Sequence, residues 1–237
     1  MRVCVNPQRS HGDANVKTIA LAAAKGGVGK TTLTAALSIA AAIAHPESAV
    51  GLIDLDPQGS LTRWWNDRAN RTPALYERGL GSIRAAMRQA AADRIGTLFL
   101  DCPPSFSNLL EEAIGAADLV VIPVGASKLD LTAVESTVAM ADRLAIAYRI
   151  VLNRAIYRSR IAGQAVIALR ETGRMMYPPI HQRVGIPEAM TGGRTAIEIE
   201  PGGRAAAELS ALWRAVEDVL TADERRPAAE YDLRAAL

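Results

Sequence analysis

A chain of 237 residues, 49% of them hydrophobic, can bury a full core as one large domain, and its composition excludes a disordered or fibrous polymer. Its 27 basic and 25 acidic residues leave a formal net charge of +2, so any attraction for a polyanion has to come from local clustering. Two cysteines, Cys4 and Cys102, exclude a disulfide framework, and the longest apolar run, LTAALSIAAAIA (33–44), is far short of the roughly 20 residues of a membrane span. With no apolar signal core at the N-terminus, these features predict a soluble protein of a reducing cytoplasm.

Residues 1–15, MRVCVNPQRSHGDAN, mix Pro, Gly, Asn and charge without a period and read as a loose leader. A single domain is expected over 16–221, with a polar tail at 222–237. Within the domain the pattern predicts a strand at 17–24, a helix at 30–44, a strand at 49–54, and helices across 60–70 and 79–94. A strand at 97–101, a helix at 107–116, a strand at 118–124 and a helix at 129–145 follow. A strand at 148–153, a helix at 160–172 and a last helix at 203–221 complete the series. Strands without polar alternation, each followed by a helix, predict a doubly wound α/β fold: a mostly parallel sheet covered on both faces, with ligands bound beyond the carboxyl ends of its strands.

Three strand ends carry chemistry. GGVGKTT (26–32) follows an apolar strand and opens a helix, the context of a phosphate-binding loop. Gly26, Gly27 and Gly29 let backbone N–H groups around Val28 turn inward onto phosphate oxygens, and the helix N-terminus adds partial positive charge. Lys30 is then placed for the β and γ phosphates, Thr31 for Mg²⁺, and Thr32 for the α phosphate. The competing reading is a glycine-rich turn without a ligand. LIDLDPQGS (52–60) puts Asp54 and Asp56 at a second strand tip, and LFLDCPPS (98–105) ends a third on Asp101, the place of a Walker B carboxylate. Either carboxylate cluster alone could be helix capping. One phosphate loop needs one lysine, and Lys25 is a second.

KGGVGKTT, DLDPQGS and LDCPPS, in this order, resemble the ParA/MinD family of partition ATPases, whose loop carries an extra signature lysine. Lys25 stands in that place, and Ala24 replaces the first glycine of the ordinary G-x-x-x-x-G-K-T pattern. VIPVGASKLDLTAVE (121–135), VLNR (151–154) and the segment from His181 to Leu209 are similar to the short plasmid-type ParA proteins. The resemblance implies a P-loop ATPase using ATP and Mg²⁺, with two subunits sandwiching two nucleotides. Lys25 would cross to the partner's phosphates, offsetting their mutual repulsion as an arginine finger does. It also implies that Asp56 orients the attacking water, that Asp54 and Asp101 with Thr31 form the metal site, and that Asn153, Arg183, Val184 and Pro187 contact the nucleotide base. Asn153 could instead only cap a turn. The acidic residue of a guanine-reading Asn/Thr-Lys-x-Asp motif is missing after Asn153, which favours ATP.

From Arg143 to Arg214 there are eleven arginines, no lysine and five glutamates, a local balance of +6. By resemblance, Arg174, Arg183, Arg194, Arg204 and Arg214 are candidates for nonspecific grip on duplex DNA, with no interleaved aromatics to suggest single strands. A 15-residue leader leaves no room for an operator-binding domain, and the tail TADERRPAAEYDLRAAL, with four acidic and three basic groups, does not read as a membrane-targeting helix. The expected partners are a second copy of the chain, double-stranded DNA and a ParB-like adaptor that stimulates hydrolysis, with nucleoid association in the ATP state and no membrane. The cargo would be a plasmid or chromosomal locus. The alternatives are a protein assembly such as a carboxysome or chemoreceptor cluster as cargo, and a biosynthetic ligase of the dethiobiotin or cobyrinate diamide synthase type. A nitrogenase-reductase-like role would need cluster-ligating cysteines, for which Cys4 and Cys102 are poorly placed.

Overall fold

The apolar runs assemble into one parallel sheet in a computed structural model that describes residues 16–77 and 82–222. Both the leader and residues 223–237 of the tail lie outside the described residues. The strands are β1 (Lys17–Leu21), β2 (Ala49–Asp54), β3 (Ala74–Tyr76), β4 (Ile95–Asp101), β5 (Leu119–Val124) and β6 (Ala147–Leu152), in the spatial order β3-β2-β4-β1-β5-β6. Every pairing is parallel. The helices are α1 (Lys30–Ala44), α2 (Ser60–Asn66), α3 (Ile83–Ala92), α4 (Asn108–Ala116), α5 (Lys128–Arg143), α6 (Arg160–Glu171), α7 (Gly185–Thr191), α8 (Ala196–Ile199) and α9 (Arg204–Thr221). This is the expected doubly wound α/β class.

Alternate residues of each strand feed two cores, as the period of a strand requires. Ala20, Leu98, Leu100, Val120, Ile122 and Ile150 face α3 to α6, whereas Ile19, Leu21, Leu52, Phe99, Val121 and Val151 face α1, α2 and α7 to α9. Helix α1 runs through the middle of the second layer. It is buried without a break from Leu33 to Ala41, and its small residues let it lie close to the sheet while α9 packs along it. Its alanines are packing, and each fully buried Leu contributes about 1.5–3 kcal/mol by leaving water.

Several boundaries differ from the sequence pattern. Helix α2 stops at Asn66 rather than 70, because Arg68 turns inward instead of continuing a solvated face. Strand β3 was not expected, and neither were α7 and α8: three to seven residues flanked by Pro or Gly are too short to declare a period. Arg68 fastens these unexpected pieces together. Its guanidinium is buried, donates from Nη1 to the Gly193 carbonyl at 2.7 Å, pairs with Glu198 (Nη2 to Oε1, 2.8 Å), and lies 4.7 Å over the Trp64 ring. Its Nε reaches the carbonyls of Asn70 and Thr72 at 3.2 Å each.

Burial alone would raise the Glu198 pKa, but hydrogen bonds from Arg68 and Thr195 outweigh it and hold the carboxyl below its ordinary 4.5. A folded pKa below the unfolded one means that this contribution is complete above pH 4.5 and is lost as pH falls through the folded value. Arg68→Met leaves the Glu198 carboxylate half-buried without its cation and is expected to cost about 3–5 kcal/mol. Urea unfolding at pH 7 measures it, and the double variant Arg68→Met/Glu198→Leu should recover part of the loss.

Candidate functional site

Register fixes the site. Leu21 of β1 and Asp54 of β2 both pair with Asp101 of β4, so the phosphate loop and the two carboxylate strand ends leave the sheet in one row. The chain between Ala22 and Gly29 bends back over this row into α1. Its cap residue, Gly29, has φ +93°, no side chain closes the first turn, and no acidic residue stands in that turn. The first N–H groups of α1 are therefore left to an anion.

The loop is held from below by β6. Asn153 is buried and donates from Nδ2 to the Val28 carbonyl at 2.8 Å, while Arg154 donates to the Gly27 carbonyl at 2.8 Å. A Cβ added to Gly29 would stand 2.4 Å from Asn153 Nδ2. Asn153 thus supports the loop, and any hydrogen bond to a base would have to use what its amide has left. Gly26 and Gly27 are exposed at the tip, Thr32 is half-buried on the first turn, and Val28 is tucked inward.

Lys30 and Asp101 form the polar heart of the row. Asp101 has no exposed surface; it accepts from Thr31 Oγ1 at 2.7 Å, with Thr34 Oγ1 at 3.4 Å from its other oxygen. Burial pushes the Asp101 carboxyl up to about 7, with Asp54 and Asp56 adding repulsion, while the Thr31 hydrogen bond and Lys30 oppose the shift. Lys30 is only 6% exposed; burial lowers its pKa, and the charges of Asp101, Asp56 and Cys102 resist. Both groups are pushed toward neutrality, and a divalent cation at Asp101 with an anion at Lys30 would reverse that. Burial also pushes the Cys102 thiol up, which makes it a poor ligand.

Asp54 and Asp56 do different work. Asp54 Oδ2 accepts from the Thr62 amide (2.8 Å) and hydroxyl (2.9 Å), capping α2, and its Oδ1 accepts from the Asp56 amide at 3.1 Å. Each oxygen thereby accepts from the protein, with Oδ1 keeping acceptor capacity to spare. Asp56 stays half-buried, accepts only a local turn bond from the Gln58 amide at 2.9 Å among the described residues, and is near enough to Lys30 to act on its charge. Among the described residues no three His, Cys, Asp or Glu side chains converge as a metal cage. The fit to Mg²⁺ rests on Thr31 and Asp101, two hard oxygen donors 2.7 Å apart, with the remaining positions left to phosphate and water as that ion prefers.

Lys25 is held elsewhere. Its side chain, 43% exposed, pairs with Oδ1 of Asp130, whose Oδ2 accepts from the Ser127 hydroxyl at 2.6 Å in the capping box of α5. Burial would raise the Asp130 pKa, but the bonds from Lys25 and Ser127 hold it below the usual range. This latch spans 105 residues of sequence and was not legible there.

The late-chain candidates separate. Arg183 is tied to Glu208, Arg174 lies 5.1 Å over the Tyr148 ring, and Arg194 donates to the Glu198 carbonyl at 2.7 Å. Arg204, in the first turn of α9, and Arg214, midway along it, are exposed. Val184 and Pro187 are exposed at the start of α7.

Residues 19–196 match the model of the CobQ/CobB/MinD/ParA nucleotide binding domain. The chain belongs to this family. A maintenance of carboxysome distribution protein A from Gloeobacter kilaueensis is 32% identical over 215 residues, covering 84% of this chain and 96% of that protein. The chromosome-partitioning ATPase Soj of Thermus thermophilus is 35% identical over 160 residues, 55% of this chain and 64% of Soj. In fold, an Asp→Ala variant of Cyanothece McdA in complex with ATP superposes with a TM-score of 0.70 at 18% identity, covering 87% of this chain and 96% of that one. No helix among the described residues is long and apolar enough to cross a membrane.

Gly29→Ala should both strain the backbone at φ +93° and strike Asn153. The expected result is a drop in nucleotide affinity of at least about tenfold with a modest fall in stability, measured by titration calorimetry and thermal melting.

Proposed function

We propose that this chain is an Mg²⁺-dependent ATPase that pairs on ATP, grips duplex DNA without sequence preference while paired, and lets go after hydrolysis stimulated by an adaptor. One observation carries the reading. The loop has two lysines in opposite states: Lys30 is buried beside Asp101, whereas Lys25 is exposed and held by one surface ion pair. An exposed pair is worth about 0–1 kcal/mol, so the latch can be exchanged at little cost for a stronger partner. Phosphate charge brought up by a second subunit is such a partner, because its approach excludes water and strengthens the attraction.

The residues then take these roles. Lys30 and the loop amides hold the β and γ phosphates, and Thr32 lies toward the α phosphate. Thr31 and Asp101 would hold Mg²⁺, which when bound neutralises phosphate charge during transfer. Asp54, by accepting from the Asp56 amide and capping α2, fixes Asp56 where its carboxylate can orient a water. Lys25 from the facing subunit stabilises charge on the transferring phosphoryl group, a contribution of about 10³ to 10⁵ in rate where an arginine plays the part.

The cargo reading divides. Partition of a plasmid or chromosomal locus is supported by the likeness to Soj, which this chain matches over 64% of that protein's length. Positioning of a protein assembly is supported by the carboxysome distribution relative, matched over 96% of its length. The ATPase cycle is common to both.

For the DNA grip, Arg204 and Arg214 are the exposed candidates on α9, and Arg204 adds its charge to a helix N-terminus that already favours phosphate. Lys25→Ala is expected to keep ATP affinity within about threefold. It should lose adaptor-stimulated turnover by about 10³, as read by phosphate release. Equal losses in affinity and turnover would make Lys25 an ordinary ligand of its own nucleotide. Arg204→Glu/Arg214→Glu should abolish ATP-dependent DNA binding in a filter assay while leaving ATP-dependent pairing intact. Retained binding with an unchanged salt slope, about 0.9 per phosphate contact, would remove α9 from the grip.

A further inference from the structure

Glu208 sits in the second turn of α9 with its side chain only 15% exposed, and gathers three hydrogen bonds from one short segment. The His181 amide donates to Oε2 at 3.0 Å, His181 Nδ1 lies 3.0 Å from Oε1, and Arg183 Nη2 donates to the same Oε1. Burial would raise its pKa, but the bonds from Arg183 and His181 hold the carboxyl below the usual range, so it is ionised at neutral pH. Among the described residues Glu208 is the one acceptor that holds the Arg183 guanidinium, whose Nε is buried without a partner. Such a cluster is out of proportion to the packing of a surface loop.

The segment it holds is also pinned from the other side. Ala155, two residues past Asn153, receives the Gln182 amide on its carbonyl at 2.9 Å and gives its own amide to the Ile180 carbonyl at 3.0 Å. The Tyr157 ring stands edge-on to His181 with centroids 5.6 Å apart. Residues 181–183 are therefore clamped between the chain that supports the phosphate loop and the first turns of α9. The exposed Val184, Gly185 and Pro187 follow directly along the chain.

Charge decides what this side of the loop can receive. Asp54, Asp56 and Asp101 all lie on the β2/β4 side, and a metal-bound phosphate chain has its partners there. The uncharged end of a nucleotide, its base, is left the β6 side, where Asn153 and the 181–187 segment form the wall. We propose that Glu208 is a positioning residue for nucleotide binding: it sets the shape of the 181–187 wall against the base, with Arg183 as a strut of that wall rather than a contact to DNA. The inference rests on the nucleotide-binding reading above and adds the element that shapes the base subsite.

The test uses the full chain with three probes, ATP, GTP and inorganic tripolyphosphate, each with Mg²⁺, titrated by calorimetry. Tripolyphosphate engages the phosphate loop alone and reports on its integrity. Glu208→Ala should weaken ATP about tenfold or more, as loss of charged hydrogen bonds does, narrow the preference for ATP over GTP, and leave tripolyphosphate within about twofold. Arg183→Ala should move ATP in the same direction. Glu208→Gln, which keeps the side-chain volume and an acceptor, should fall between wild type and Glu208→Ala and serves if the alanine variant does not fold. Unchanged ATP affinity, or equal weakening of ATP and tripolyphosphate, would overturn the positioning role. A wild-type chain that binds neither ATP nor tripolyphosphate would overturn the nucleotide reading itself.

Discussion

A carboxylate with no exposed surface, Asp101, lies in one row with Asp54 and beside the buried Lys30. Parallel strands create this arrangement: their carboxyl ends collect at one edge, and the register Leu21 to Asp101 to Asp54 brings the loop and both carboxylates level. Buried charges are costly unless they are partnered, and here burial drives Lys30 and Asp101 toward their neutral forms. In the proposed reading, anionic phosphate against Lys30 and a hard cation against Thr31 and Asp101 relieve that cost. The uncapped first turn of α1 adds to the same demand. Most other features near the loop serve to hold this row still: Asn153 and Arg154 beneath it, Asp54 on α2, and the Asp130 capping box at its flank.

The two lysines divide the work by their surroundings. Lys30 is buried and lies within the field of Asp101 and Asp56, so it stays with its own site. Lys25 pairs with a carboxylate that already serves as a helix cap and stays capped through Ser127 if Lys25 departs. Release therefore costs little on the α5 side. In the proposed reading this makes the latch a low barrier to pairing of subunits, while the gain comes only when two nucleotide faces exclude water around the phosphates.

Much of this was legible from the chain. Five apolar runs without alternation specified five strands of the parallel sheet, and the sixth, the three-residue β3, was unreadable at that length. The glycines, Lys30 and Thr31 fell in register because a phosphate loop is a local structure, fixed by consecutive residues. What escaped were contacts made across the fold. The pairing of Lys25 with Asp130 and of Arg68 with Glu198 bridges 105 and 130 residues, and no local pattern signals either. Arg183 read as one of a cluster of surface arginines because its partner Glu208 lies 25 residues on, in another element. Asp54 read equally as strand-end chemistry or as helix capping, and it accepts from the amide and hydroxyl of Thr62 in the first turn of α2.

In the proposed reading, Lys25 serves the nucleotide of a facing subunit. Mixing two inactive variants tests it directly: Lys25→Ala, which keeps Asp56, and Asp56→Ala, which keeps Lys25, are combined with ATP, Mg²⁺, DNA and adaptor, and phosphate release is followed. If Lys25 acts across the pair, the mixed dimer contains one complete site, built from the loop and Asp56 of the first subunit and Lys25 of the second. Turnover should then return toward half the wild-type rate per mixed dimer. A mixture as inactive as either variant alone, under conditions where mixed dimers are detected by sedimentation, would contradict the account and place Lys25 in its own subunit's site.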